Sequence, residues 1–342
     1  MNKGDWSWLT PEIEEVQAAH RARVADFHDG VPADGVLAIA GRMAGHNHGL
    51  WGTNDVDMLR DPPAWLEDVL NDCAAHAADA ADRRTFRPLL VEMDALGTHY
   101  IDALFGAPVR FHAGQVWSEG LKSDLAGLEA PALARNEVFQ ASLRLTRHVV
   151  AATEGRLLIS NPVLSCPVNI GINLFGEELL SALVERPEEA RRALRIVTDV
   201  IAACMKAFDE AILFELRRNS VGNDRYAPSG CGFIDGCATQ LVSARHYAEF
   251  LAPLDAELLG RFPHGGMIHL CGAHAQHIPV WHEMKALKSV QLNDRAAEDF
   301  EAFWRGLRED QIVYVNPTAR MTAARVLEIS AGRRVILQCP AP

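Results

Sequence analysis

Gly266-Met267-Ile268-His269-Leu270-Cys271 reads as a short buried strand that turns polar only near its end. The segments around it repeat the theme. A helix is expected over 274–284, then a strand over 289–294 (Ser289 to Asp294) and a helix over 296–307. A strand follows over 311–316, a helix over 322–330 stopped by Gly332, and a last strand from Val335 to Cys339. Before it stand a strand from Cys231 to Cys237 and a helix over 243–262 with Ser243 as its N-cap. Strands alternating with helices through short links imply parallel pairing with right-handed crossovers. Five such strands in about 110 residues, with more upstream over 86–92 and 156–161, favour a closed barrel over an open sheet. The expected class is α/β, a (β/α)8 TIM barrel over residues 86–342. Residues 1–85 form an N-terminal helical extension packed on it, including a helix over 65–81. Further helices are read over 176–185 and 187–217, with Pro187 suited to a first turn.

The strand ends carry the chemistry. Asp235, His269, Cys271, Asn293, Asp294, Asn316 and Cys339 all fall at or just past a C-terminal strand end, the face where barrel enzymes collect catalytic groups. Side chains alternate along a strand, so His269 and Cys271 point the same way and can grip one ion. With Cys339 they make a set of one imidazole and two sulfurs, which suits zinc. Taken singly, each cysteine is as readily a small buried hydrophobe; the convergence at strand ends is what argues for metal. Asp235, Asn293 and Asp294 are the candidate catalytic residues. Cys231 and Cys237 flank one strand, about 20 Å apart, so one ion cannot take both, and both are read as non-ligands. Cys166 and Cys204 are read as packing residues. His46 and His48 form a His-x-His pair in a glycine-bounded loop, a weaker metal signal.

The chain has 342 residues, 49% of them apolar, enough for a large core. It holds 33 basic against 45 acidic residues, a net charge of −12 with no basic stripe, which argues against nucleic acid as a partner. No apolar run approaches the ~18 residues of a membrane span, and the N-terminus lacks a signal-peptide hydrophobic region. Seven scattered cysteines do not suggest a disulfide framework. A reducing cytoplasm is the expected compartment.

Four stretches resemble the uroporphyrinogen decarboxylase superfamily, over about residues 86–340. Leu174-Phe175-Gly176-Glu177-Glu178-Leu179-Leu180, followed by Arg186-Pro187-Glu188-Glu189-Ala190, is similar to a paired-helix motif of the family. Asp235 followed by Leu241-Val242-Ser243 and Tyr247-Ala248-Glu249-Phe250 resembles its acidic strand end and following helix. His269-Leu270-Cys271-Gly272 and Cys339 resemble the zinc ligands of its methyltransferase branch, which works with corrinoid proteins. The decarboxylases' N-terminal arginine motif is reduced here to Ala40-Gly41-Arg42. The resemblance implies a zinc-dependent methyltransferase. Zinc would sit on His269, Cys271 and Cys339, with Asn293 or Asp294 able to fill a displaceable fourth position and Asp235 orienting the acceptor. A methyl group would move between a corrinoid and a thiol or other small acceptor. Asp26-Phe27-His28 begins like a corrinoid-binding motif but has Val31 where glycine is required, so the corrinoid would arrive on a partner protein. Expected partners are thus a small methyl donor or acceptor, a corrinoid protein and a second copy of the chain. Two alternatives stand beside this: decarboxylation or lyase chemistry on the same barrel, acting on a small acid or a tetrapyrrole, and a binding protein with a closed structural zinc.

Overall fold

Eleven strands can be followed in the computed structural model, which describes residues 5–33, 35–40, 58–94, 96–112, 115–219 and 225–339. They are β1 (Leu37–Ala40), β2 (Leu90–Val91), β3 (Val109–His112), β4 (Gln115–Ser118), β5 (Leu158–Ser160), β6 (Arg217–Arg218), β7 (Gly232–Asp235), β8 (Gly266–Leu270), β9 (Leu287–Leu292), β10 (Ile312–Val315) and β11 (Val335–Cys339). Six form one sheet in the order β1-β11-β10-β9-β8-β7, and every neighbouring pair is parallel. A second parallel sheet has the order β2-β5-β6. Isolated parallel bridges, Ile39 to Phe86 and Ser165 to Asp235, add single pairs at both edges of the larger sheet. The hairpin β3–β4 stands apart as an antiparallel pair.

Alternation along the strands divides the interior in two. Ile39, Phe233, Met267, Tyr314 and Ile336 pack together on one face of the strands. Their sequence neighbours Ile234, Ile268, Val313, Val335 and Leu337 pack on the other face, with the helices. A strand buried on both faces needs no polar side, which is why these segments are nearly all apolar. Each large side chain removed from water contributes roughly 1.5–3 kcal/mol before entropy is counted. The helix Pro187–Ala211 shows how the outer layer is held: it buries Ala190, Leu194, Val197, Ile201, Met205 and Phe208 at three- and four-residue spacing.

The expected strands of the second half are present with their ends moved by a few residues, and the helix expected over 296–307 is split into Asp294–Glu298 and Phe300–Gly306. The helix expected over 243–262 is interrupted. It runs Ala244–His246, a π turn Tyr247–Leu251, then Ala252–Leu259. Pro253 cannot donate a backbone hydrogen bond, and a wider turn just ahead of it absorbs the loss. Ser243 does cap this helix, its hydroxyl accepting from His246 N at 3.2 Å. The larger sheet also takes a strand from before residue 86: Leu37–Ala40 lies beside β11, with Ala40 in register with Cys339. Among the described residues, no helix is long and apolar enough to cross a membrane. Arg42, His46 and His48 lie outside the described residues.

Candidate metal centre

Asp235 ends β7 directly opposite His269 in the parallel register. Two residues on, Cys237 opens a short 3-10 turn (Cys237–Leu241), and Cys271 follows β8. The two strands therefore deliver Asp-x-Cys and His-x-Cys side by side. One ligand atom from each of Cys237, His269 and Cys271 lies within 4.8 Å of the others. His269 Nε2 is 3.0 Å from Cys271 Sγ. Cys237 Sγ donates to Asp235 Oδ1 at 3.3 Å, and that oxygen is 3.6 Å from His269 Nε2. A tetrahedral zinc with ordinary bond lengths needs ligand atoms about 3.6–3.8 Å apart. Two thiols and an imidazole at this spacing fit zinc in both chemistry and reach.

Electrostatics favour the ligating form. The Cys271 thiol is held well below its usual value, first by its contact with the Cys237 thiol and then, against the opposing effect of burial, by His269 and Asn293. The same contact, together with burial and Asp235, pushes Cys237 up. One thiolate is thus stabilised by its neighbours before any metal binds. His269 is buried, which lowers its proton affinity, as does Arg225; Asp235 and Cys271 outweigh both and leave it raised.

The imidazole is aimed by a chain of amides. His269 Nδ1 is hydrogen bonded to Gln291 Oε1, and Gln291 Nε2 donates to Gln338 Oε1. Both glutamines are buried, each next to last in its strand. The Nδ1 partner leaves Nε2 as the free ligand atom, the usual role of an outer hydrogen bond at a metal-binding histidine. On the other side Asn293 Nδ2 reaches Cys271 Sγ at 3.8 Å and Asp294 Oδ2 at 2.9 Å, while Asn293 Oδ1 accepts from Asn316 at 2.6 Å. Asp294 is exposed and has φ of 46°, in the left-handed region.

The structure thus brings together His269, Cys271, Asp235 and Asn293, with Asp294 tied on through Asn293. Cys339 is not in the three-ligand group. It ends β11 half-buried, beside Gln338, which accepts from Gln291. Cys237, read from the sequence as a non-ligand because it and Cys231 cannot share an ion, is grouped here with His269 and Cys271, past the end of β7. The signal was legible as Asp235-x-Cys237 matching His269-x-Cys271 one strand over. Gln291 and Gln338 were missed as well, although glutamine inside an apolar strand is itself a signal. Cys166 and Cys204 are fully buried, and burial raises both thiols.

The helix Pro167–Phe175 joins this centre to a cleft. Asn169 Oδ1 accepts from Ala238 N at 2.7 Å, next to Cys237. One turn on, Asn173 Nδ2 donates to Asp102 Oδ2 at 2.9 Å, and the same oxygen accepts from His99 Nδ1 at 2.6 Å. Asp102 is buried, which raises its pKa, although His99 and Asn173 pull the other way. The cleft, about 480 Å³, is lined by Thr98, His99, Val116, Trp117, Ser118, Ile172 and Asn173.

Among solved structures the chain is similar to a methyltransferase from Methanosarcina mazei, with a TM-score of 0.65 and 14% identity over 93% of this chain and 92% of that one. The chain has that enzyme's fold. It is the fold implied by the resemblance to the uroporphyrinogen decarboxylase superfamily. A B12-independent methionine synthase from Shewanella sp. W3-18-1, in complex with selenomethionine, aligns at a TM-score of 0.46 and 9% identity over 89% of this chain and 90% of that one. No family model matches the chain, and no curated protein does.

Proposed function

We propose that the chain is a zinc-dependent methyltransferase that moves a methyl group between a corrinoid, carried by a partner protein, and a thiol or other small acceptor. The observation that carries this is the meeting of Cys237, His269 and Cys271 at the C-terminal ends of β7 and β8, in a fold shared with a methyltransferase. These three side chains would hold the ion. Bound zinc supplies the positive charge that keeps an acceptor thiol deprotonated near neutral pH, while two cysteinate ligands keep that thiolate nucleophilic.

The other residues act around that set. Gln291 fixes the His269 ring, so Nε2 faces the ion. Asp235, 3.3 Å from Cys237 Sγ and 3.6 Å from His269 Nε2, orients both ligands and can accept the proton an acceptor thiol gives up. Asn293 steadies the Cys271 sulfur and stands, with Asp294, at the open side. The cleft beside His99 and Trp117 is the natural seat for the small substrate, about one helical turn from the Cys237 loop.

The test uses zinc-loaded protein, methylcobalamin as a stand-in for the partner's corrinoid, and a panel of thiols. Loss of the methylcobalamin absorbance is expected with at least one thiol, and His269→Ala should abolish it. If no thiol demethylates methylcobalamin even at high concentration, the methyltransferase reading fails, and lyase chemistry on the same barrel becomes the leading account.

A further inference from the structure

The opposite end of the sheet holds a second, chemically different cavity. It is about 590 Å³, a size suited to a small ligand. Its walls are the segments that lead into β7, β8 and β9 together with the end of the helix Pro11–His28. It therefore lies at the N-terminal strand ends, away from the metal centre at the C-terminal ends.

Its lining is unusual for this chain. Arg21, Arg218, Lys285 and Lys288 contribute four permanent positive charges, and Asp29 is the one lining carboxylate. The protein as a whole has an excess of acidic groups, 45 against 33. Arginines elsewhere use them: Arg195 pairs with Asp199 and Glu257, Arg295 with Asp299, Arg325 with Glu328. Among the described residues, no ion pair joins any of the four cavity cations to a carboxylate. Arg218 is 4% exposed, yet its guanidinium bonds only neutral groups: the carbonyls of Glu215 and Arg217, Ser229 Oγ and Tyr226 Oη. Its Nε has no partner. Arg21 is partly buried in the repulsive field of Arg218, and both effects pull its pKa down. His28 is kept neutral at about 3 by burial, Lys288 and His264. Near Lys288 the carboxylate of Asp310 is already held by Arg308 at 2.8 Å.

Like charges gathered in a half-enclosed space repel one another. A ligand of the opposite sign removes that repulsion. We propose that this cavity binds a small multiply charged anion of the phosphate type, a diphosphate or a nucleoside diphosphate. Four cations less Asp29 leave a net charge of +3, about equal and opposite to that of a diphosphate group near neutral pH. The Arg21 guanidinium suits phosphate oxygens, with the lysines adding point charges at the rim and buried Arg218 adding its charge from the wall. The site is independent of the methyl-transfer reading.

Isothermal titration of the zinc-loaded chain with sodium pyrophosphate, ADP and citrate at fixed ionic strength tests this. Pyrophosphate or ADP should bind at about one site per chain and raise the melting temperature. The double variant Arg21→Gln, Lys285→Gln should weaken binding at least about tenfold, a loss of about 1.4 kcal/mol. Arg305→Gln with Lys206→Gln, on exposed ion pairs elsewhere, should leave it unchanged. If Arg21→Gln disturbs folding, Lys285→Glu alone, at an exposed position, should show the same direction of loss. No binding of pyrophosphate or ADP up to about 10 mM overturns the proposal. So does binding that the cavity variants leave intact, or equal binding of citrate.

Discussion

Asp255 offers a quantitative test of the interior. It is fully buried, accepts from Tyr247 Oη at 2.8 Å, and Tyr247 Oη in turn accepts from Trp281 Nε1 at 2.8 Å. Its other oxygen has no partner. Burial raises its pKa from 3.8 to about 7, against the opposing pull of the Tyr247 hydrogen bond. A carboxyl whose folded pKa lies above its unfolded one loses stability as pH rises. Below about 4 both states are protonated and nothing is lost. Between about 4 and 7 the unfolded chain ionises first, and each unit of pH costs about 1.36 kcal/mol; above 7 the loss is constant at about 4 kcal/mol. Asp255→Asn keeps the shape and cannot ionise. Its amide leaves one buried group unpaired, a cost of about 1–3 kcal/mol, but that cost does not depend on pH. In urea denaturation, the stability of the variant relative to wild type should therefore improve by about 2 kcal/mol from about pH 5.5 to about pH 8.5. A difference that does not change with pH refutes the reasoning.

Two further outcomes concern the metal centre. Gln291→Leu removes the group that fixes His269 Nδ1, so zinc affinity should fall about 10–100-fold in chelator competition while both thiols remain. In metal-free protein at about pH 7.5, iodoacetamide should label Cys271 first, because its neighbours hold its thiol below the usual range. Cys73, pushed up to about 12 by burial and Asp72, and Cys204, raised by burial, should react only after unfolding; peptide mass spectrometry reads the order.

The regular second half was legible because its strands are buried on both faces and separated by helices with clear caps. Thr322 shows this: its hydroxyl caps the helix Ala323–Ser330 at Arg325 N, 3.3 Å away, within a residue of the expected start. The first half was harder. β1 is only four apolar residues, Leu37–Ala40, and pairing with β11 makes it a strand. β2 and β6 are two residues each, too short for any periodicity to appear. At the centre, His269 and Cys271 followed from alternation alone. Cys237 did not, because it lies past the end of its strand, and its direction depends on the register that sets Asp235 against His269. Cys339 illustrates the converse. Its position at a strand end is as expected, but the described cluster of possible ligands is made by Cys237 with His269 and Cys271 instead.

The most direct measurement is zinc content after purification and dialysis, by elemental analysis, of wild type beside Cys237→Ala and Cys339→Ala. The account expects about one zinc per chain in wild type and in Cys339→Ala, and almost none in Cys237→Ala, with all three folded. Full zinc in Cys237→Ala with loss in Cys339→Ala would contradict it and return the third ligand to the last strand.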